Sequence, residues 1–416
     1  MNQKLKSCAA KILSKNDTVK YAGIRVWNMI GRTDYIRKYA RKYHVKQKLV
    51  VFESFGGRQY SCSPRALYEE LCRNPLYKGY KKIWAFKDPE KHHYLEKDPD
   101  TKVVAYQSEA YYKAYAMAKI WVSNFRLGNE LQPKKNQIYI QTWHGTPLKR
   151  LGFDIENFNG SRGAQRELEY QYSSDVKRYS YLLAPSQFYK EKITSAFGLE
   201  KIGKTDIFIE GGYPRNDFLL GLTDKKKAEL KAQMDIPENK KVILYAPTWR
   251  ETEHEPGCGY RYQLAVDFDK WRRALGENVL ILYRSHYFIS NYIDLSPYEG
   301  FVRNVSDYDD INDLYAVSDM LITDYSSVFF DYANLNRPII FFMYDYEQYK
   351  NELRGFYIDE GELPGPIVKD EKHLLKVLRE YQGQGYEQVY QAFNEKYNPY
   401  RTGNGAAVVW DHVLPK

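Results

Sequence analysis

Short apolar runs recur between stretches of mixed polarity, and their spacing sets the expected fold. In the first half they fall at residues 49–52, 83–86, 102–106, 120–123, 137–141 and 181–184. Near-continuous apolar strands separated by helical stretches predict a parallel sheet covered on both faces. A charged stretch at 223–241, broken by Pro237, reads as a hinge or domain start. The pattern then repeats at 242–246, 279–283, 320–323 and 338–343. The expectation is an α/β protein with two Rossmann-like domains, 48–220 and 221–395, preceded by a leader at 1–47. Residues 396–416 are expected to form a C-terminal helix that packs back on the first domain.

The leader has a pattern of its own. Val19, Gly23, Val26, Trp27 and Ile30 share one helical face, as do Leu5, Ala9, Ile12 and Leu13 earlier. Between Lys4 and Lys48 the many cationic residues meet only Asp17 and Asp34. Such a basic amphipathic helix either lies in a membrane interface on anionic headgroups or packs on the protein with a solvated basic side. The missing counter-charge favours the membrane.

Composition narrows this picture. A chain of 416 residues exceeds one ordinary core, and its 43% apolar content fills two. The formal charge of +9 favours anionic partners. The 40 tyrosines read as packing and surface ring contacts before they read as a base-stacking platform. Four cysteines without a CxxC pair fit neither a disulfide framework nor a zinc site, and read as free thiols of a reducing cytosol. No run is long enough to span a bilayer, and no P-loop, GxGxxG or GxSxG is present.

The candidate chemistry sits where strands end, and in open α/β sheets ligands bind beyond the carboxyl ends of strands. Trp143-His144-Gly145-Thr146-Pro147-Leu148-Lys149 follows one strand. A histidine there suits a general base, because its ordinary pKa of about 6.5 leaves it able to take a proton at neutral pH. A buried structural histidine reads equally well from this motif alone. Tyr283-Arg284-Ser285-His286-Tyr287 supplies fork donors, a hydroxyl and a titratable donor matched to a diphosphate. Thr323-Asp324-Tyr325-Ser326-Ser327 precedes a helical stretch, where either anion binding or simple capping fits. Ala246-Pro247-Thr248-Trp249-Arg250 and Gly211-Gly212-Tyr213-Pro214-Arg215-Asn216-Asp217 read as cleft lining or plain turns. Tyr308-Asp309-Asp310 reads as a helix start, not a metal site.

Taken in order, QTWHGTPLK (141–149), GYPRND (212–217), YAPTWR (245–250), RSHY (284–287), TDYSS (323–327) and LRGF (353–356) resemble the CDP-glycerol glycerophosphotransferase family of wall teichoic acid synthesis. FESFGGRQYS (52–61) and LPGP (363–366) look similar to it as well. The resemblance implies a GT-B architecture, with two Rossmann-like domains facing across a cleft and the donor held mainly by the second. It implies His144 and His286 as catalytic residues, with His144 activating the acceptor hydroxyl. His286, Arg284, Thr323, Ser326 and Ser327 would hold the donor diphosphate, flanked by Thr248 and Asp324. Gly145, Thr146, Lys149 and Arg215 would line the acceptor side of the cleft.

The same resemblance implies no metal and no cofactor. Its partners would be CDP-glycerol or CDP-ribitol, an undecaprenyl-diphosphate-linked acceptor and an anionic membrane surface, but not nucleic acid. The enzyme would sit peripherally on the cytoplasmic face of the membrane. An intact WHGTPLK looks like the branch that adds second or repeated units instead of the priming one. Ser61-Cys62-Ser63-Pro64 and Arg401-Thr402-Gly403-Asn404-Gly405 depart from the family pattern. A capsule polyol-phosphate transferase, a nucleotide-sugar glycosyltransferase on the same frame and a basic nucleic-acid-binding module are the alternative readings.

Overall fold

The computed structural model describes residues 17–155, 162–248, 254–255, 259–260, 264–285, 294–347 and 355–414. Its first domain is built on seven parallel strands: β1 (Lys46–Glu53), β2 (Lys81–Phe86), β3 (Thr101–Ala105), β4 (Ala118–Ser123), β5 (Ile138–Gln141), β6 (Tyr181–Ala184) and β7 (Phe208–Glu210). They lie in the order β3-β2-β1-β4-β5-β6-β7. The main sheet of the second domain has six: β8 (Lys241–Ala246), β9 (Val279–Tyr283), β10 (Val302–Asn304), β11 (Met320–Thr323), β12 (Ile339–Phe342) and β13 (Ile367–Val368). Their order is β10-β9-β8-β11-β12-β13, again all parallel.

Alternation explains why apolar runs become these strands. Val51 faces a core with Trp121 and Tyr139, while Val50 and Phe52 face another with Trp84 and Trp410. Each sheet is thus buried on both faces, which only continuous apolar strands tolerate. In both sheets the order reverses beside the first strand, between β1 and β4 and between β8 and β11. These are the switch points where open α/β sheets leave a crevice.

The chain crosses between domains at the GYPRND segment and returns near residue 400. Gly405 and Ala406 donate their backbone N–H groups to the two carboxylate oxygens of Asp217, each at 2.8 Å, which caps the last helix, Gly405–Val413. A Cβ on Gly212 would lie 2.5 Å from the Tyr400 carbonyl oxygen, so only glycine lets the two crossings pass this closely. The last helix packs on the helix Cys62–Arg73 of the first domain, where the fully buried Trp410 donates to the Leu67 carbonyl at 2.9 Å. Ser61 precedes the helix Cys62–Arg73, and Asn404 precedes the helix Gly405–Val413.

In the leader, Asp17–Tyr35 is helical. Tyr35 is buried beside Tyr39 and Tyr112, and Arg25 pairs with Glu167 at 3.3 Å. Val26, Trp27, Met29 and Ile30 are each more than half exposed. The earlier apolar set, Leu5 to Leu13, lies outside the described residues. Among the described residues no helix is long and apolar enough to cross a membrane.

Candidate functional site

His144 follows β5 on a turn that its neighbours force. Gln141 accepts from the Trp143 N–H at 2.9 Å through Oε1 and donates to the Phe125 carbonyl at 3.0 Å through Nε2. This holds Trp143 at φ 53°, an unfavourable left-handed conformation for a non-glycine residue. The turn carries the imidazole out of the strand line, stacked on Trp143 at 4.5 Å and edged by Phe55 at 5.8 Å and Phe125 at 6.2 Å. Its Nδ1 lies 2.8 Å from the Asn124 carbonyl oxygen. A carbonyl only accepts, so Nδ1 carries the proton and Nε2 presents its lone pair.

Burial lowers the His144 pKa to about 4, against the raising influence of the Asn124 carbonyl and with a further lowering from the Arg215 cation. The ring is neutral at pH 7. Its Nε2 lone pair can accept a proton, and an incoming anion would make it more basic.

The second domain meets this turn directly. A Cβ on Gly145 would lie 2.7 Å from Ser327 Oγ, so the glycine lets the two motifs touch. Ser326 and Ser327 are partly exposed at the start of the helix Val328–Tyr332. Beside them, Lys149 forms an antiparallel bridge with Phe356, and Arg150 and Leu148 exchange backbone hydrogen bonds with Gly355 and Tyr357 at 3.1 and 2.9 Å. The end of QTWHGTPLK and the end of LRGF are thus one seam. Thr146 is buried immediately behind it.

Several residues expected in the cleft make contacts that tie the frame together. Arg215, expected on the acceptor side, is buried in a bidentate pair with Asp331 of the second domain, at 2.9 to 3.1 Å, and stacks over Tyr213 at 4.0 Å. Thr323 is fully buried and donates its hydroxyl to the Ala246 carbonyl at 2.9 Å, joining β8 to β11, so it does not present that proton to a donor. Asp324 accepts from the Thr248 N–H at 2.8 Å and the Tyr325 N–H at 2.6 Å, which fixes both strand-end turns.

Arg284 is partly buried after β9. Its Nη1 donates to the carbonyls of Val305 and Tyr308 at 2.9 and 2.8 Å, and burial lowers its pKa. His286, Trp249 and Arg250 lie outside the described residues. Asp310 caps the helix Ile311–Val317, as the sequence pattern predicts, and also receives Arg65 from the first domain at 3.2 Å. Among the described residues no three His, Cys, Asp or Glu side chains are placed to hold a metal ion.

Sequence reasoning missed Asn124 and Phe125, and gave no role to Gln141 and Phe55, which it met only inside QTWHGTPLK and FESFGGRQYS; all four build the histidine's surroundings. For Asn124 and Phe125 the only sequence signal is position, just beyond the end of a central strand.

Two parallel sheets, with a neutral histidine beyond one and a serine turn beyond the other brought together, define a two-domain α/β protein. The chain belongs to the CDP-Glycerol:Poly(glycerophosphate) glycerophosphotransferase family, whose model matches residues 33–415. It is 40% identical over 375 residues to a teichoic acid poly(glycerol phosphate) polymerase of Staphylococcus epidermidis, covering 89% of this chain and 51% of that protein. It is 38% identical over 337 residues to a teichoic acid glycerol-phosphate transferase of Staphylococcus aureus, covering 80% of this chain and 84% of that one. A teichoic acid poly(ribitol-phosphate) polymerase of Bacillus spizizenii is 31% identical over 60% of this chain. The chain spans about half the length of the first curated relatives it matches. The solved structure of the wall teichoic acid polymerase TagF superposes with a TM-score of 0.82 at 37% identity, covering 95% of this chain and 96% of that one. One such structure is a histidine-to-asparagine variant soaked with CDPG.

Proposed function

We propose that this chain transfers glycerol phosphate from CDP-glycerol to the terminal hydroxyl of a lipid-linked teichoic acid precursor, releasing CMP, on a GT-B frame. The observation that carries the reading is His144: its proton is fixed on Nδ1 and its Nε2 is unprotonated, on a turn that touches the serine turn of the other domain. Nε2 takes the acceptor hydroxyl proton as that oxygen attacks the phosphorus bearing glycerol. The bond from this phosphorus to the bridging oxygen breaks, and CMP leaves with that oxygen. Positioning and charge stabilisation carry most of such a transfer. Ser326, Ser327 and the Arg284 guanidinium are the described groups that fit the donor diphosphate. His286 and Thr248 complete the proposed donor set, with Asp324 and Thr323 holding its frame, and Lys149 lies on the acceptor side.

The choice of glycerol over ribitol rests on the longer and stronger similarity to glycerol-phosphate enzymes. Incubation with each CDP-polyol in turn, following CMP release on a lipid-linked acceptor, tests it. Turnover with CDP-glycerol is expected; turnover with CDP-ribitol alone would overturn the donor. Arg284→Ala is expected to raise the CDP-glycerol dissociation constant about ten- to a hundredfold, the worth of hydrogen bonds to a charged group. Unchanged affinity would remove Arg284 from the donor site.

The exposed apolar stripe of Asp17–Tyr35 supports peripheral attachment to an anionic cytoplasmic membrane face. Because Tyr35 belongs to the core, point changes test this better than truncation. Trp27→Glu with Ile30→Glu is expected to lower partition onto anionic liposomes without changing turnover on a soluble acceptor. Unchanged partition would refute the attachment.

A further inference from the structure

At the end of β4, Asn124 is fully buried and its polar groups serve two different turns. The backbone carbonyl accepts from His144 Nδ1 at 2.8 Å. Side-chain Oδ1 accepts from the Phe55 N–H at 2.8 Å, and Nδ2 donates to Ser54 Oγ at 3.2 Å. Ser54 Oγ in turn reaches the Ser61 carbonyl at 3.1 Å. The orientation of the amide is fixed by chemistry, since a backbone N–H must face its oxygen.

The turn that Asn124 grips is one the backbone resists. Phe55, Gly56 and Gly57 take φ of 47°, 67° and 74°, and for Phe55 such a conformation persists only where its surroundings hold it. Beyond the grip, the Phe55 ring edges the imidazole, as does the ring of Phe125, the residue next to Asn124. β1 and β4 are neighbours at the sheet's switch point, where Glu53 stands opposite Ser123. One side chain therefore clips together the two turns that flank this crevice, and the same residue's carbonyl sets the histidine's tautomer.

We infer that Asn124 is a positioning residue for the transfer step, its side-chain amide holding the Phe55–Gly57 turn and the imidazole in their reactive arrangement. The inference rests on the reading of His144 as the base. Asparagine meets the need as a neutral group of this length that both accepts and donates. Alanine does neither, and an ionised carboxylate accepts from Phe55 but cannot donate to Ser54.

The test compares Asn124→Ala, Asn124→Asp, His144→Ala and the unaltered full chain. It measures kcat, the KM of each substrate, CDP-glycerol affinity and the pH dependence of kcat/KM. Asn124→Ala is expected to lower kcat about a hundredfold, the scale of a small misplacement of a reacting group. CDP-glycerol affinity should hold, because the donor residues belong to the other domain. Asn124→Asp introduces a negative charge near an imidazole whose surroundings are the Arg215 cation, the Asn124 carbonyl and the rings of Phe55, Phe125 and Trp143. That charge stabilises the imidazolium, so the acid limb of the profile moves to higher pH. A purely structural role would lower stability and leave the kcat of the folded Asn124→Ala protein unchanged.

Wild-type kcat in Asn124→Ala, or an unmoved acid limb in Asn124→Asp, would overturn the inference. If Asn124→Ala does not fold, Asn124→Asp, which keeps the Phe55 contact, carries the test. An active His144→Ala would defeat the base reading itself. An inactive one beside unaffected Asn124 variants would defeat only this inference.

Discussion

His144→Ala is expected to lower kcat by about a hundred- to ten-thousandfold, the range for loss of a positioned general base. CDP-glycerol affinity should be unchanged. The split between rate and affinity is the informative part, because the imidazole belongs to the first domain and the proposed donor residues to the second. Near-wild-type turnover would remove the base assignment. The pH dependence adds a second reading. Burial holds the His144 pKa at about 4, below its ordinary value, so the free enzyme keeps a competent base as pH falls through 6 and loses it near 4. The stability sign follows the same shift. The unfolded chain binds this proton near pH 6.5 and the folded one only near 4, so protonation favours unfolding and this group's contribution declines as pH falls through that window.

Asp331→Ala is expected to destabilise the protein by about 3–5 kcal/mol, because it strands the Arg215 guanidinium without its buried partner. Arg215 and Asn216 both donate to the Asp331 carboxylate across the domain boundary. Replacing both partners, as in Arg215→Met with Asp331→Leu, is expected to cost less, since no charge is then left buried. Denaturant unfolding of the three variants decides it. A midpoint for Asp331→Ala equal to wild type would show that the pair does not hold the domains together.

The two-sheet architecture was legible in the sequence because its central strands are buried on both faces and read as continuous apolar runs. Three of the four edge strands were not. Phe208–Glu210, Val302–Asn304 and Ile367–Val368 are two or three residues long, shorter than any periodicity that can be read. The same limit applied to the site. His144, Ser326 and Ser327 announce themselves as polar groups at strand ends. Arg215 and Thr323 do so equally, yet one spans the domain boundary and the other ties two strands. What separates a cleft residue from a frame residue is its partner across the fold, Asp331 for Arg215 and Ala246 for Thr323. Sequence position gives no access to that partner. Asn124 escaped notice for the converse reason: it stands alone between Ser123 and Phe125, and its role exists only through Phe55 and His144, far along the chain in either direction.

The central claim is the transfer itself, and mass spectrometry of the product formed from CDP-glycerol on a short lipid-linked acceptor tests it most directly. The account predicts an acceptor heavier by one or more whole glycerol phosphate units joined through phosphodiesters, with CMP released in equal number. An unmodified acceptor, or one carrying a sugar in glycosidic linkage from a nucleotide-sugar donor, would contradict it.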